Sequence, residues 1–302
     1  SHLRLSTMTG IEDCMNNTSA NVEHDTRELL TVALEAARGA AELVRTRRVE
    51  LVASGALAST AETKSSDVDP VTVVDKESED YITRTLAALR PADGILGEEG
   101  TALDSQSGIR WVVDPIDGTV NFLYGIPQYA ISIAAAAGEQ ILAAVVINVA
   151  TGRTYVARAG EGAFVETDDG WDRLACSPQG HGSIGHALVA TGFSYTPQWR
   201  AQQADIITKL LPQVRDIRRM GSAALDLCAL AEGTVNAYYE HGIHPWDYAA
   251  GALIASEAGA HVHHPGLSAS GKDGGLTAAA APGVWEEFRE LLVGAGAAEP
   301  LT

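Results

Sequence analysis

Positive charge is scarce in this chain. Its 302 residues carry 21 Lys and Arg against 39 Asp and Glu, a formal charge of −18 at pH 7. Non-specific nucleic-acid binding needs a basic face, so that class is excluded. A small anionic substrate is not excluded, because bound cations invert the local field. Cysteine is scarce too. Cys14, Cys176 and Cys228 are odd in number and far apart, which leaves neither a disulfide framework nor a zinc spacing and points to a reducing cytoplasm. Missing as well is any apolar run of about 18 residues, so no membrane-spanning helix and no membrane partner are expected. Residues 1–23 are polar and lack the apolar stretch of a signal peptide. With Ser1-His2 read as an appended remnant, this arm is placed outside the fold.

What is present is a patterned α and β chain without internal repeats. Asp25, with Glu28 behind it, caps a first helix in which Leu29, Ala33, Ala36, Ala40, Leu43 and Val44 recur at helical spacing. Residues 52–69 read as a mobile loop, and Asp75–Arg90 as a helix ending at Pro91. Short strands are expected at Gly94–Gly97 and Ile109–Val113. Ala130–Ala137 and Ile141–Val149 form a hairpin around Gly138-Glu139-Gln140, and Arg153–Arg158 and Ala163–Glu166 continue the meander. From about residue 184 strands alternate with helices near 198–211, 222–232, 246–259 and 282–293, the rhythm of a layered α/β unit. We therefore expect an N-terminal α+β unit over residues 24–180 and a C-terminal α/β unit over 181–302.

Acids recur at the ends of these elements. Glu98 and Glu99 follow the first short strand in ILGEEG, Asp114 and Asp117 end the strand WVVDPID, Asp75 closes the run Val71–Val74, and Asp247 opens a helix in HPWDYAAG. Singly each has a plain explanation: Asp75 as an N-cap, Asp247 as a helix-start acid favoured by the macrodipole. Together they suit magnesium, which takes oxygen ligands in octahedral geometry and needs one or two carboxylates plus phosphate oxygens. Two such ions about 4 Å apart can share a carboxylate and clamp both the attacking and the leaving oxygen. Pro115 stiffens the backbone between Asp114 and Asp117, with the Ile116 carbonyl as a further ligand. Gly118 and Thr119 offer backbone N–H groups to an anion at a helix start.

The set GEE, DPIDGTVNF and HPWDYAAG, in this order, resembles the inositol monophosphatase family of magnesium-dependent phosphatases. The resemblance runs from about Asp25 to Leu292. KSSDVDPVTVVD and RRMGSAALDLCALAEGTVNAYYEHGIHPWD extend it towards the bacterial inositol-1-monophosphatases. It implies a layered αβαβα sandwich, of the kind shared with fructose-1,6-bisphosphatase, and a homodimer. It further implies two or three magnesium ions. Glu98, Asp114 and the Ile116 carbonyl would hold the first, and Asp114, Asp117 and Asp247 the second. Glu98 with Asp75 would place a third. Thr119, supported by Asp75, would position and deprotonate an attacking water. The amides of Gly118 and Thr119 would hold phosphate, while Gly221, Ser222, Ala223 and Glu240 would face the hydroxyls of a phosphorylated polyol. Lithium would inhibit at the Asp247 site. Pro245 stands where some relatives carry cysteine, and the loops 52–63 and 264–274 match nothing in the family.

Other residues carry less. His241 and His244 are read as structural, since imidazole suits a hard, oxygen-preferring ion poorly. His261, His263 and His264 are read as surface, Trp246 as packing behind the Asp247 helix, Glu99 as an outer neighbour of the site, and Lys64 as solvated. Enzymes sharing such a metal site on histidinol phosphate, fructose 1,6-bisphosphate or nucleotide 3′-phosphate are the rivals, because metal ligands read phosphate and not the alcohol. A regulatory binding protein on this fold would be favoured by a lost ligand, and none is lost. A calcium module would need a contiguous twelve-residue ligand loop, which is absent.

Overall fold

The computed structural model describes residues 25–57, 70–176 and 182–302. The arm 1–23, most of the 52–69 loop and Lys64 lie outside that set. Helix α1 (Thr26–Ala53) starts where expected: Asp25 Oδ1 accepts from the backbone N–H of Arg27 at 2.9 Å and of Glu28 at 3.2 Å. Its buried face is largely alanine, with Leu29, Ala33, Ala36, Ala37, Ala40 and Val44, which lets it lie close on the neighbouring sheet.

Helix α2 (Pro70–Leu89) corrects one expectation. Val71–Val74 is not a strand closed by Asp75 but the opening of the helix, so Asp75 is neither a strand-end acid nor an N-cap. Four consecutive β-branched residues suggested a strand, yet the buried positions Val71, Val74, Asp75, Ser78, Ile82 and Leu86 follow helical spacing.

The remaining elements form two sheets. The first contains β1 (Gly94–Gly97), β2 (Ala102–Leu103), β3 (Ile109–Asp117), β4 (Ala130–Ala137), β5 (Gln140–Asn148), β6 (Thr154–Arg158), β7 (Gly162–Thr167) and β8 (Gly170–Arg173). Their spatial order is β2-β1-β3-β4-β5-β6-β7-β8, antiparallel throughout except for the parallel pair β1/β3. A short helix α3 (Thr119–Tyr124) follows β3. The second sheet has the order β10-β9-β11-β13-β12, from β9 (Leu188–Thr191), β10 (Asp216–Arg218), β11 (Ala237–His241), β12 (His261–His263) and β13 (Leu276–Ala280). Helices α4 (Pro197–Leu210), α5 (Ala223–Glu232), α6 (Pro245–Glu257) and α7 (Trp285–Ala295) complete the chain.

Helices α1 and α2 cover one face of the first sheet, α5 and α6 pack between the two sheets, and α4 and α7 lie together beyond the second, where α7 meets β13. This is the αβαβα layering that the resemblance implied. Both faces of the first sheet are therefore covered. Trp111 and Val113 point into the cluster under α1 and α2, whereas Val112 points into the cluster around α5 and α6. That is why β3, β4 and β5 read as unbroken apolar runs.

Candidate active site

The site is assembled where four chain segments meet. Strand β3 supplies its centre. Asp114 pairs with Ser132 and Asp117 with Ala130, so three steps on β3 face two on β4, and the shift is a β-bulge around Pro115 and Ile116. Proline has no N–H for the ladder, and a bulge is where a strand accommodates that loss. The bulge re-aims Asp117 while the Ile116 N–H donates to Asp114 Oδ1 at 3.0 Å. Gly118 then turns the chain into α3 at φ +94°, and a Cβ there would lie 2.8 Å from the Gln128 carbonyl oxygen.

Glu98 arrives from the end of β1, alongside β3, its N–H donating to the Val113 carbonyl. Asp247 arrives in the first turn of α6, where one carboxylate oxygen accepts from the His244 N–H at 2.6 Å. Asp114, Asp117 and Asp247 each offer a carboxylate oxygen, all within 4.8 Å of one another. They share a pocket of about 310 Å³ with Glu98, Ile116, Gly118, Thr119, Gly221, Ala223 and Glu240.

Two expected residues stand elsewhere. Ser222 is buried at the N-cap of α5. Its hydroxyl donates to Asp117 Oδ2 at 2.6 Å and accepts from Leu225 N–H, so it holds a carboxylate in place and does not line the pocket. Asp75 is buried in α2 against β3 and likewise does not line the pocket. One turn on, Ser78 donates to the Pro115 carbonyl and fastens α2 to the bulge.

The electrostatics are those of an acidic cluster short of cations. Burial first, then Glu98, Asp117 and Asp247, push the Asp114 carboxyl well above its ordinary range. Burial and then Asp117 and Glu98 do the same to Asp247. Asp117 is raised by burial to only about 6, because Ser222, the Ala224 N–H and Arg219 favour its charge. Glu98 is open to solvent as a residue, yet it is lifted to about 7. The walls of the concave site thin the water around its carboxylate, and Asp117, Glu99 and Glu79 repel it. Arg219 is the sole Lys or Arg among the described residues lining the pocket.

Several contributors were invisible in the sequence. Glu79, buried in α2, accepts from the N–H of Glu99 at 2.7 Å and of Thr101 at 2.9 Å, which shapes the loop carrying Glu98. Its helical spacing from Asp75 was the available signal. Asn121 donates to the Gln128 and Met220 carbonyls and ties α3 to the Gly221 turn. His241 and His244, expected to be structural, both line the pocket, and each also makes a packing contact away from the carboxylates. His241 is buried with Nε2 on the Ala297 carbonyl, while His244 stacks on Trp246 with ring centroids 4.5 Å apart and accepts from the Gly271 N–H through Nδ1. His261 and His263 are exposed; His264 is half-buried and stacked on Tyr248.

The donor set fits a hard cation. It offers only oxygen, and the carboxylates of Asp114 and Asp117, which are buried, and of Asp247, which is half-buried, crowd one another with Arg219 as the sole Lys or Arg among the described residues lining the pocket.

Relatives share this chain's sequence and fold. Residues 25–295 match the Inositol monophosphatase family. The inositol-1-monophosphatase of Mycobacterium leprae is 48% identical over 270 residues, covering 87% of this chain and 92% of that protein. The inositol-1-monophosphatase SuhB of Mycobacterium tuberculosis H37Rv is 45% identical over 291 residues, covering 92% and 98%. The solved structure of Mycobacterium tuberculosis SuhB superposes with a TM-score of 0.78 at 43% identity, covering 92% of this chain and all of that one. On the family match over nearly all of the described chain, together with these identities, this protein belongs to the inositol monophosphatase family.

Proposed function

We propose that this protein is a magnesium-dependent phosphomonoesterase that hydrolyses myo-inositol monophosphate to myo-inositol and phosphate. The observation that carries the reading is the convergence of Asp114, Asp117 and Asp247 on one pocket that also presents Glu240. A pocket of about 310 Å³ suits a small phosphorylated ring, not a polymer.

Glu98, Asp114, the Ile116 carbonyl, Asp117 and Asp247 would hold two magnesium ions; a third, with Asp75, rests on the family resemblance. When bound, magnesium neutralises charge on the phosphoryl group and makes water a competent nucleophile near neutral pH. The protein's own groups do the rest. Thr119 stands at the pocket wall, where its hydroxyl can orient a water and pass on its proton. Gly118 and Thr119 line the pocket, and their amides would donate to phosphate oxygens. Glu240, which also lines the pocket, would accept from ring hydroxyls, and Arg219 offsets part of the negative charge of the cluster.

Homodimeric assembly and a cytoplasmic setting belong to the same proposal; among the described residues no helix is long and apolar enough to cross a membrane. The test is a phosphate-release panel with magnesium over inositol 1-phosphate, histidinol phosphate, fructose 1,6-bisphosphate and adenosine 3′-phosphate. Inositol phosphate should give the highest kcat/KM. Preference for any other substrate by tenfold or more would replace the substrate assignment and leave the metal site standing.

A further inference from the structure

Glu240 is held in an unusual way. It is the penultimate residue of β11, and two residues earlier on the same face of that strand lies Tyr238, whose ring is fully buried. The Tyr238 hydroxyl donates to Glu240 Oε2 at 2.8 Å. Glu240 Oε1 has no hydrogen-bond partner among the described residues, and the side chain lines the pocket. One oxygen is thus fastened from below while the other is presented.

The neighbouring strand leaves room for this pose. Strand β9 runs parallel to β11 with Thr191 beside Tyr239, which places Gly192 beside Glu240. A Cβ on Gly192 would fall 2.2 Å from Oε1 and 2.3 Å from Oε2 of that carboxylate. Gly192 has no left-handed φ to explain it, so the glycine is there for space. Behind the pair, Asp226 is buried with neither carboxylate oxygen hydrogen-bonded among the described residues, and burial first, then the Glu240 charge, push its carboxyl well above the ordinary range.

We propose that Tyr238 and Gly192 are positioning residues that set the specificity of the site: Tyr238 fixes the Glu240 carboxylate as an acceptor for polyol hydroxyls, and Gly192 keeps the volume that carboxylate occupies. The inference rests on the reading of Glu240 as a hydroxyl acceptor. A phenol that holds one carboxylate oxygen removes the rotamer freedom that Glu240 would otherwise lose on binding substrate. It also leaves a single, directed acceptor, which suits a rigid ring diol better than a flexible chain.

The experiment is a double-mutant cycle with two substrates and magnesium at saturation. Inositol 1-phosphate reports hydroxyl recognition; propyl phosphate, which carries no free hydroxyl, reports phosphate chemistry alone. Tyr238→Phe keeps the buried ring and should raise KM for inositol phosphate about tenfold, with kcat held within about twofold and propyl phosphate unchanged. In a Glu240→Gln background the same change should add little, because the group it positions is already gone. Gly192→Ala should mimic Tyr238→Phe by displacing the carboxylate, and it keeps the proposal testable if Tyr238→Phe does not fold. Equal losses on both substrates, or a full Tyr238→Phe penalty without Glu240, would overturn the positioning role. If Glu240→Gln lowers selectivity while Tyr238→Phe and Gly192→Ala do not, the inference fails and the reading of Glu240 survives. If Glu240→Gln leaves selectivity intact, the reading itself fails and takes the inference with it.

Discussion

Ser222 Oγ donates a 2.6 Å hydrogen bond to Asp117 Oδ2, tying the N-cap of α5 to the bulged end of β3. The Ala224 N–H reaches the same oxygen at 2.8 Å. Asp117 therefore keeps its charge more readily than Asp114 or Asp247, which have weaker support and stronger neighbours. One helix start thus tunes a carboxylate on a different structural layer.

Removing that hydroxyl separates two effects. Ser222→Ala should lower stability by about 1 kcal/mol through the lost cap. It should also raise the Asp117 pKa above about 6, because a bond favouring the charged form has gone. Protons then compete better with magnesium. The half-activating magnesium concentration should rise about tenfold near pH 7, and the acid limb of the activity profile should move to higher pH. Magnesium titrations at pH 6, 7 and 8 measure this; an unchanged half-activation point at all three would remove Ser222 from the site.

Metal preference follows from the all-oxygen donors. Activity should vanish in chelator and return with magnesium, not with zinc. Calcium should bind and compete without supporting turnover, because its looser geometry misplaces the reacting groups. Lithium should inhibit, and Asp247→Asn should weaken that inhibition together with magnesium activation. Full turnover in chelator would end the metal proposal.

Much of this was legible in the sequence because it is local. Asp25 caps α1 through its next residues, the strand ending in Asp-Pro-Ile-Asp carries its own bulge, and Asp247 sits in a first turn that Pro245 helps to start. Burial of both faces of the first sheet could be read from the unbroken run of β4. What stayed hidden depends on distant segments closing on one another. Nothing near Ser222 says that its hydroxyl will meet Asp117, 105 residues earlier in the chain. Glu79 looks like any helix-surface acid until the β1 loop folds back on it. Val71–Val74 misled for a different reason: β-branching is a weak preference, and packing of α2 against α1 and β3 overrode it. The strand β8 went unread because GWDR has a single buried apolar side chain, Trp171, between a glycine and two exposed charged residues, which leaves no apolar run to recognise.

The last prediction uses the cluster's repulsion as a measurable force. Asp114 is 1% exposed, and its folded-state pKa lies above the ordinary carboxylate value through burial and then Glu98, Asp117 and Asp247. A carboxyl raised on folding binds its proton more tightly in the native state than in the unfolded chain. Its contribution is neutral below the unfolded value of about 3.9. It becomes destabilising as pH climbs towards the folded value, because the native state then holds protons that the unfolded chain has released. Asp114→Asn abolishes that penalty. In chelator, the variant and the parent should melt together near pH 4, and the variant should melt progressively higher as pH rises through 5, 6 and 7. The conversion is roughly 2–4 °C per kcal/mol for a chain of this size. Magnesium should reverse the order at pH 7, since the parent gains a ligand that the variant has lost. Turnover by Asp114→Asn should fall by more than the roughly 10–100-fold that losing an outer partner of a metal ligand costs. A variant that melts below the parent in chelator at pH 7 would show that Asp114 stabilises the fold, and the carboxylates would then be scaffold before they are ligands.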